Sequence, residues 1–259
     1  MLWSVKTAAT LIVVSILALG CSPAPSPKST SSEAPGPPNA RPDVIERHAT
    51  QFADELPERP PGGNEEQVAA SYILGFLQQA RYPGRLDGVP VADLIRSTNV
   101  IGTPPTGATP EYLVAVPYGT PLNEALDASS IGVFLEVARA LTVRKPDHSV
   151  EFVALGAEFA EQEAGTLGSR AMASLLLDES LEPQIIYLSP ELSGDSFYAK
   201  GPLASEFEPA SSEGTALLPE VALAAAAAYR TEGFEVTVID GDPDEVAATL
   251  LEFLSQSTG

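Results

Sequence analysis

One cysteine, two histidines and 14 lysines and arginines stand in a chain of 259 residues, and each scarcity excludes something. A lone cysteine, Cys21, permits no disulfide framework. It lies in the N-terminal leader, so the folded part has no thiol nucleophile. The basic residues face 35 aspartates and glutamates, which gives a formal charge of −21. Such a surface repels phosphate backbones and excludes nucleic acid as a partner. No G-x-S-x-G sequence occurs, so the nucleophile elbow of a serine hydrolase is missing. There is no Gly-rich phosphate loop with its lysine and no internal repeat. His48 beside Arg47, and His148 in the turn R-K-P-D-H-S, are expected to be surface or capping residues.

What is present begins with "MLWSVKTAATLIVVSILALGCS", a single charge at Lys6 followed by an apolar run from Thr7 to Gly20. The run is short for a membrane span and has the pattern of a signal peptide. Gly20 directly before Cys21 resembles the bacterial lipobox. That resemblance implies removal of residues 1–20 and a lipid on Cys21, whose several acyl chains would anchor the chain firmly. An ordinary secretory signal or an uncleaved anchor is the alternative. The expected location is the bacterial cell envelope, with the chain exported and held to a membrane by its N-terminal lipid. Ser22 rather than Asp follows the cysteine, which keeps the outer membrane among the destinations. Residues 21–42 are rich in Pro, Ser and Ala, cannot build a core and read as a disordered tether. The folded domain is expected over residues 43–259.

Within it, apolar spacing alternates between two periods. "PDVIERHATQFADEL" places Val44, Ile45, Ala49, Phe52 and Ala53 on one helical face. "NEEQVAASYILGFLQQA" reads as a second helix with Asn64 as N-cap and Val68, Ile73, Phe76 and Leu77 inward. The next stretch, with Pro83, Gly84, Gly88 and Pro90, reads as a loop. "TNVIGT", "EYLVAVPYG", "HSVEFVALGAE", "PQIIYLS" and "FEVTVID" read as strands, and "DSFYAKG" as a further candidate. Helices fall between the later ones: "DASSIGVFLEVARAL", "AGTLGSRAMASLLLD", an Ala-rich helix ending near Gly233, and "PDEVAATLLEFLSQ". Strands alternating with helices imply an α/β fold, a three-layer α/β/α sandwich around a mixed, mostly parallel sheet.

Several segments, taken in order, resemble the zinc-dependent exopeptidases, the class of bacterial aminopeptidases and glutaminyl cyclases. They are "ERPPGGNEEQVAASYILGFLQQARY", the "NVIG" strand at Asn99–Gly102, "SSIGVFLEVARAL" and "EFVALGAEFAEQEAGTLGSR". The similarity runs from about Asp43 to Ser193 and more loosely to the end. It implies two zinc ions held by His and carboxylates, with a Glu as general base. Position by position, this chain departs from that pattern. Where the family's "AHxD" is expected, Pro117 stands for the His and Gly119 for the Asp. Ala125 takes the place of the bridging Asp, with Asp127 two residues on. The "GAEE" pair becomes Glu158 and Phe159, so the base position is kept and the ligand lost. Ser189, or Pro190, replaces the strand-end Asp, and no late His exists.

Pro, Gly, Ala and Phe offer no side-chain donor, and carboxylates without imidazole suit zinc poorly. The expectation is therefore a degenerate member without cofactor, acting in binding or scaffolding toward peptides or envelope proteins. Glu158 is then a vestigial general-base position. The alternative is an active metallo-exopeptidase with a displaced site around Glu158, drawing on Asp127, Glu161 or Glu163. The acidic stretch holding those last two otherwise reads as a solvated loop.

Overall fold

Alternation along consecutive strands decides the layers of this protein. Val114, Val116, Phe152, Ala154, Ile186 and Leu188 face one side of the sheet. Leu113, Ala115, Val153, Leu155, Ile185 and Tyr187 face the other. Strands buried on both faces in this way need a helical layer on each. A computed structural model describes residues 39–144, 148–161, 165–194, 196–207 and 218–256. The expected signal peptide, Cys21, most of the tether and Glu163 lie outside the described residues.

The elements are α1 (Pro42–Glu55), α2 (Asn64–Gln79), β1 (Gly84–Ala92), β2 (Ile95–Gly102), β3 (Tyr112–Pro117), α3 (Ser129–Arg144) and β4 (Val150–Leu155). They continue with α4 (Leu167–Asp178), β5 (Gln184–Leu188), β6 (Tyr198–Lys200), a 3-10 turn (Pro202–Ser205), α5 (Glu220–Thr231), β7 (Val236–Asp240) and α6 (Pro243–Ser255). The sheet order is β1-β2-β4-β3-β5-β7-β6. The four central strands, β4, β3, β5 and β7, run parallel. The outer pairings, β1 with β2, β2 with β4, and β6 with β7, are antiparallel. Helices α1, α2, α3 and α6 cover one face, and α4 and α5 the other. The α/β/α sandwich with a mixed sheet is the architecture expected from the sequence.

Three local expectations are corrected. The stretch expected as a loop after α2 is strand β1, nine residues long. It is an edge strand in which only Val89 is buried, so it lacks the apolar alternation that marks an inner strand. Pro90 is tolerated there because an edge strand need not offer every N–H. In α2 the N-cap is Gly63, not Asn64, and Val68 points to solvent. His48 is not a surface residue: it is 5% exposed, packed between α1 and α2.

Candidate functional site

In an open α/β sheet the chemistry gathers where the connections part, at the carboxyl ends of the strands. Here the chain passes from β3 to β4 on one side and from β4 to β5 on the other, so the parting lies at the end of β3. Pro117 closes β3 opposite Leu155, and Tyr118 N–H donates to the Leu155 carbonyl at 3.2 Å. Ser189 follows β5, its N–H bound to the Ile239 carbonyl at 2.9 Å. The start of α3 lies against this edge, because Ser130 Oγ donates to the Pro190 carbonyl at 2.8 Å. Pro117, Gly119, Ser189 and the Gly156–Glu158 turn therefore share one edge. Ala125 lies on an exposed loop leading to α3. Phe159, half-buried, follows Glu158.

Glu158 is 1% exposed, and the groups that hydrogen-bond to its carboxylate are donors. Ser169 gives it the backbone N–H at 2.6 Å and the hydroxyl at 2.9 Å, and the Tyr187 hydroxyl donates at 3.2 Å. Tyr187 lies on the α4/α5 side of the sheet, so the carboxylate is held beneath α4. The reason is local. Thr166, the N-cap of α4, is left-handed at φ 60° and makes no side-chain cap. Glu158 supplies the missing acceptor at the third helical residue, where a negative charge is also favoured by the helix dipole. Burial pushes its carboxyl up to about 7, against the pull of the Ser169 and Tyr187 hydrogen bonds.

The space beside Gly119 is occupied by a group that the sequence pattern did not single out. A Cβ on Gly119 would lie 3.3 Å from the Arg59 carbonyl oxygen and 3.5 Å from Glu66 Oε1. Glu66, 1% exposed, takes the Gly62 N–H at 2.6 Å, the Ser97 hydroxyl at 2.6 Å and the Ala157 N–H at 3.1 Å. Burial raises its pKa while these three bonds lower it. The available signal was Gly63 followed three residues later by Glu66, the acidic half of a capping box. An aspartate at position 119 would meet this second carboxylate.

The buried cation at this edge is Arg59, 1% exposed. Its Nε donates to the Tyr118 carbonyl at 2.6 Å, and another guanidinium N–H reaches the Leu56 carbonyl. Its backbone N–H bonds Thr120 Oγ1 at 2.7 Å, and its carbonyl accepts the Thr120 N–H at 2.9 Å. The guanidinium sits over the Phe52 ring, 5.5 Å from its centre. Burial draws its pKa down to about 10, with Asp127 opposing. Asp127 itself is exposed and caps α3, taking the Ser129 N–H at 3.2 Å. Its own N–H points to Glu191 Oε1 at 3.4 Å. Glu161 is exposed. His148 is remote, ahead of β4, and is buried rather than at the surface as expected, packed edge-on against Tyr112 with Nδ1 2.7 Å from Glu111 Oε2.

These residues do not fit zinc. Pro117, Gly119, Ala125 and Phe159 offer no donor, and the two buried carboxylates are engaged by N–H and O–H groups. Among the described residues, no three His, Cys, Asp or Glu side chains gather where a metal ion could be held.

Comparisons place the fold. Residues 125–252 match Peptidase family M28. No curated protein matches the chain in sequence. A leucine aminopeptidase precursor from Bacteroides thetaiotaomicron is similar over 86% of this chain and 99% of its own, at 15% identity and a TM-score of 0.69. The glutaminyl cyclase of the same organism is similar over 85% of this chain and 99% of its own, at 16% identity and a TM-score of 0.64. LapA aminopeptidase of Legionella pneumophila covers 84% of this chain and 73% of its own, at 10% identity and a TM-score of 0.64. At such identities the likeness speaks for the fold, which is the zinc-exopeptidase fold that the sequence motifs resemble.

Proposed function

We propose that this chain, with the fold of the zinc exopeptidases and a Peptidase family M28 match, binds or scaffolds rather than cleaves. In this reading it is held to a membrane of the bacterial envelope by a lipid on Cys21. The domain presents its sheet edge to peptides or to other envelope proteins. One observation carries it: at the end of β4 the surviving glutamate, Glu158, caps α4, and the neighbouring ligand position is Phe159. A general base must reach the proton it removes. A carboxylate held by two Ser169 donors and the Tyr187 hydroxyl is committed elsewhere. The loss of every side-chain donor at positions 117, 119, 125 and 159 supports the same reading.

The test is turnover of short peptides with free N-termini, including N-terminal glutamine, by the purified protein and by Glu158→Gln. The proposal expects no turnover from either. Activity in the wild type that Glu158→Gln removes would establish instead a metallo-exopeptidase with a displaced site.

A further inference from the structure

Helix α1 is held to the domain by Val44, Ile45 and Phe52 and by one buried ring, His48. The ring stands edge-on to Phe76, with centroids 4.5 Å apart at 86°. Its Nδ1 lies 2.7 Å from the Tyr72 hydroxyl, and that hydroxyl donates to Gln51 Oε1 at 3.0 Å. With the phenol proton given to Gln51, Nδ1 carries the ring proton and donates to the phenol oxygen. Nε2 is then a bare lone pair. It is buried, and no described group hydrogen-bonds to it.

We propose that His48 is an acid-sensitive latch: a second ring proton puts an N–H without an acceptor into the α1–α2 packing and releases α1. The charged and titratable groups facing the ring do not relieve this. Tyr72 on α2 already serves Nδ1. Glu136 on α3 favours the cation, but Arg139 holds it at 2.6 and 2.7 Å, and Arg41 donates to it at 2.9 Å. Arg47 and Arg41 oppose a positive ring. Burial is the largest influence, and together these lower the ring's pKa from 6.5 to about 4.

The neutral ring therefore contributes stability that is whole above pH 6.5 and is lost as pH falls toward about 4. The loss is local because α1 contributes no strand and lies at the start of the described chain. Its release uncovers α3 at Gly132, where α1 passes so close that a Cβ would lie 2.5 Å from the Ile45 carbonyl oxygen. It also frees the 14 residues of α1, which span up to about 50 Å when extended, to lengthen the connection to whatever precedes them.

Amide hydrogen exchange on the full chain, corrected for intrinsic rates, tests this. Protection of α1 is expected to fall about twentyfold between neutral pH and pH 5, while β3 and β4 stay protected. In His48→Gln the acid-specific loss disappears. A proton NMR titration of the wild-type ring covers the case in which the variant does not fold. A midpoint near the lowered value, reached as α1 opens, supports the latch. Flat α1 protection, simultaneous loss of α1 and sheet protection, or an ordinary imidazole midpoint overturns it.

Discussion

The backbone N–H of Ala157 donates to Glu66 Oε1 at 3.1 Å, and Ala157 itself is left-handed at φ 56°. A strained residue at the end of β4 is thus pinned by a carboxylate from α2, 91 positions away. Non-Gly residues rarely hold this conformation unless their surroundings over-determine it. Glu66 does so by tying α2, Gly62, Ser97 and the turn into one buried knot.

Removing that knot is costly. Glu66→Ala leaves two buried donors, on Ser97 and Ala157, and the half-buried Gly62 N–H without their acceptor, and the expected loss is about 3 kcal/mol in urea denaturation. Glu66→Gln keeps one acceptor oxygen and loses less. Ala157→Gly, which relieves the left-handed strain, leaves stability unchanged or raises it by up to about 1 kcal/mol.

Glu158 sets a pH dependence. Its folded carboxyl, up to about 7, holds the proton more tightly than the unfolded chain near 4.5. Folded stability therefore falls as pH rises from 4.5 through about 7, by at most about 3 kcal/mol for this group. Glu151, pushed up to about 7 by burial, titrates in the same direction. The informative quantity is the difference between wild type and Glu158→Gln, measured by urea denaturation across this range. It should contain a rise in the variant's relative stability with pH, and a pH-independent difference would remove Glu158 from the account.

The turn also depends on one glycine inside α4. A Cβ on Gly168 would lie 2.0 Å from the Gly156 carbonyl oxygen and 2.9 Å from both Asn99 Oδ1 and Glu158 Oε1. The carbonyl belongs to the backbone and cannot swing aside. Gly168→Ala is expected to lower stability by about 2–3 kcal/mol, read by thermal or urea unfolding.

The parallel centre of this fold was legible because β3, β4 and β5 are nearly continuous apolar runs, which fit only a sheet covered on both faces. The edge strand β1 was not, since two glycines and Pro90 interrupt it, only Val89 is buried, and it is held by pairing with β2. At the site, the missing donors at Pro117 and Phe159 could be read directly. What Glu158 does could not, because the direction of its side chain is decided by the uncapped start of α4 and by Tyr187 on a distant strand. Glu66 and Arg59 were hidden for a similar reason. A glutamate in a first helical turn looks solvated until the fold closes Ser97 and Ala157 over it. His48 looked like a surface residue beside Arg47, but α2 packs Tyr72 and Phe76 against it.

Membrane attachment has its own test. Cys21→Ser, expressed with its leader in a bacterial host, is expected to move the protein from the membrane fraction to the soluble fraction. Unchanged membrane association in the variant would rule out lipid on Cys21 as the anchor.

The central claim is that the exopeptidase fold persists here without a zinc centre. Native mass spectrometry of the full chain after incubation with zinc, followed by exhaustive buffer exchange, tests it most directly. The predicted result is the mass of the metal-free chain alone. One or two zinc ions retained per chain, and removed by a chelator, would contradict it.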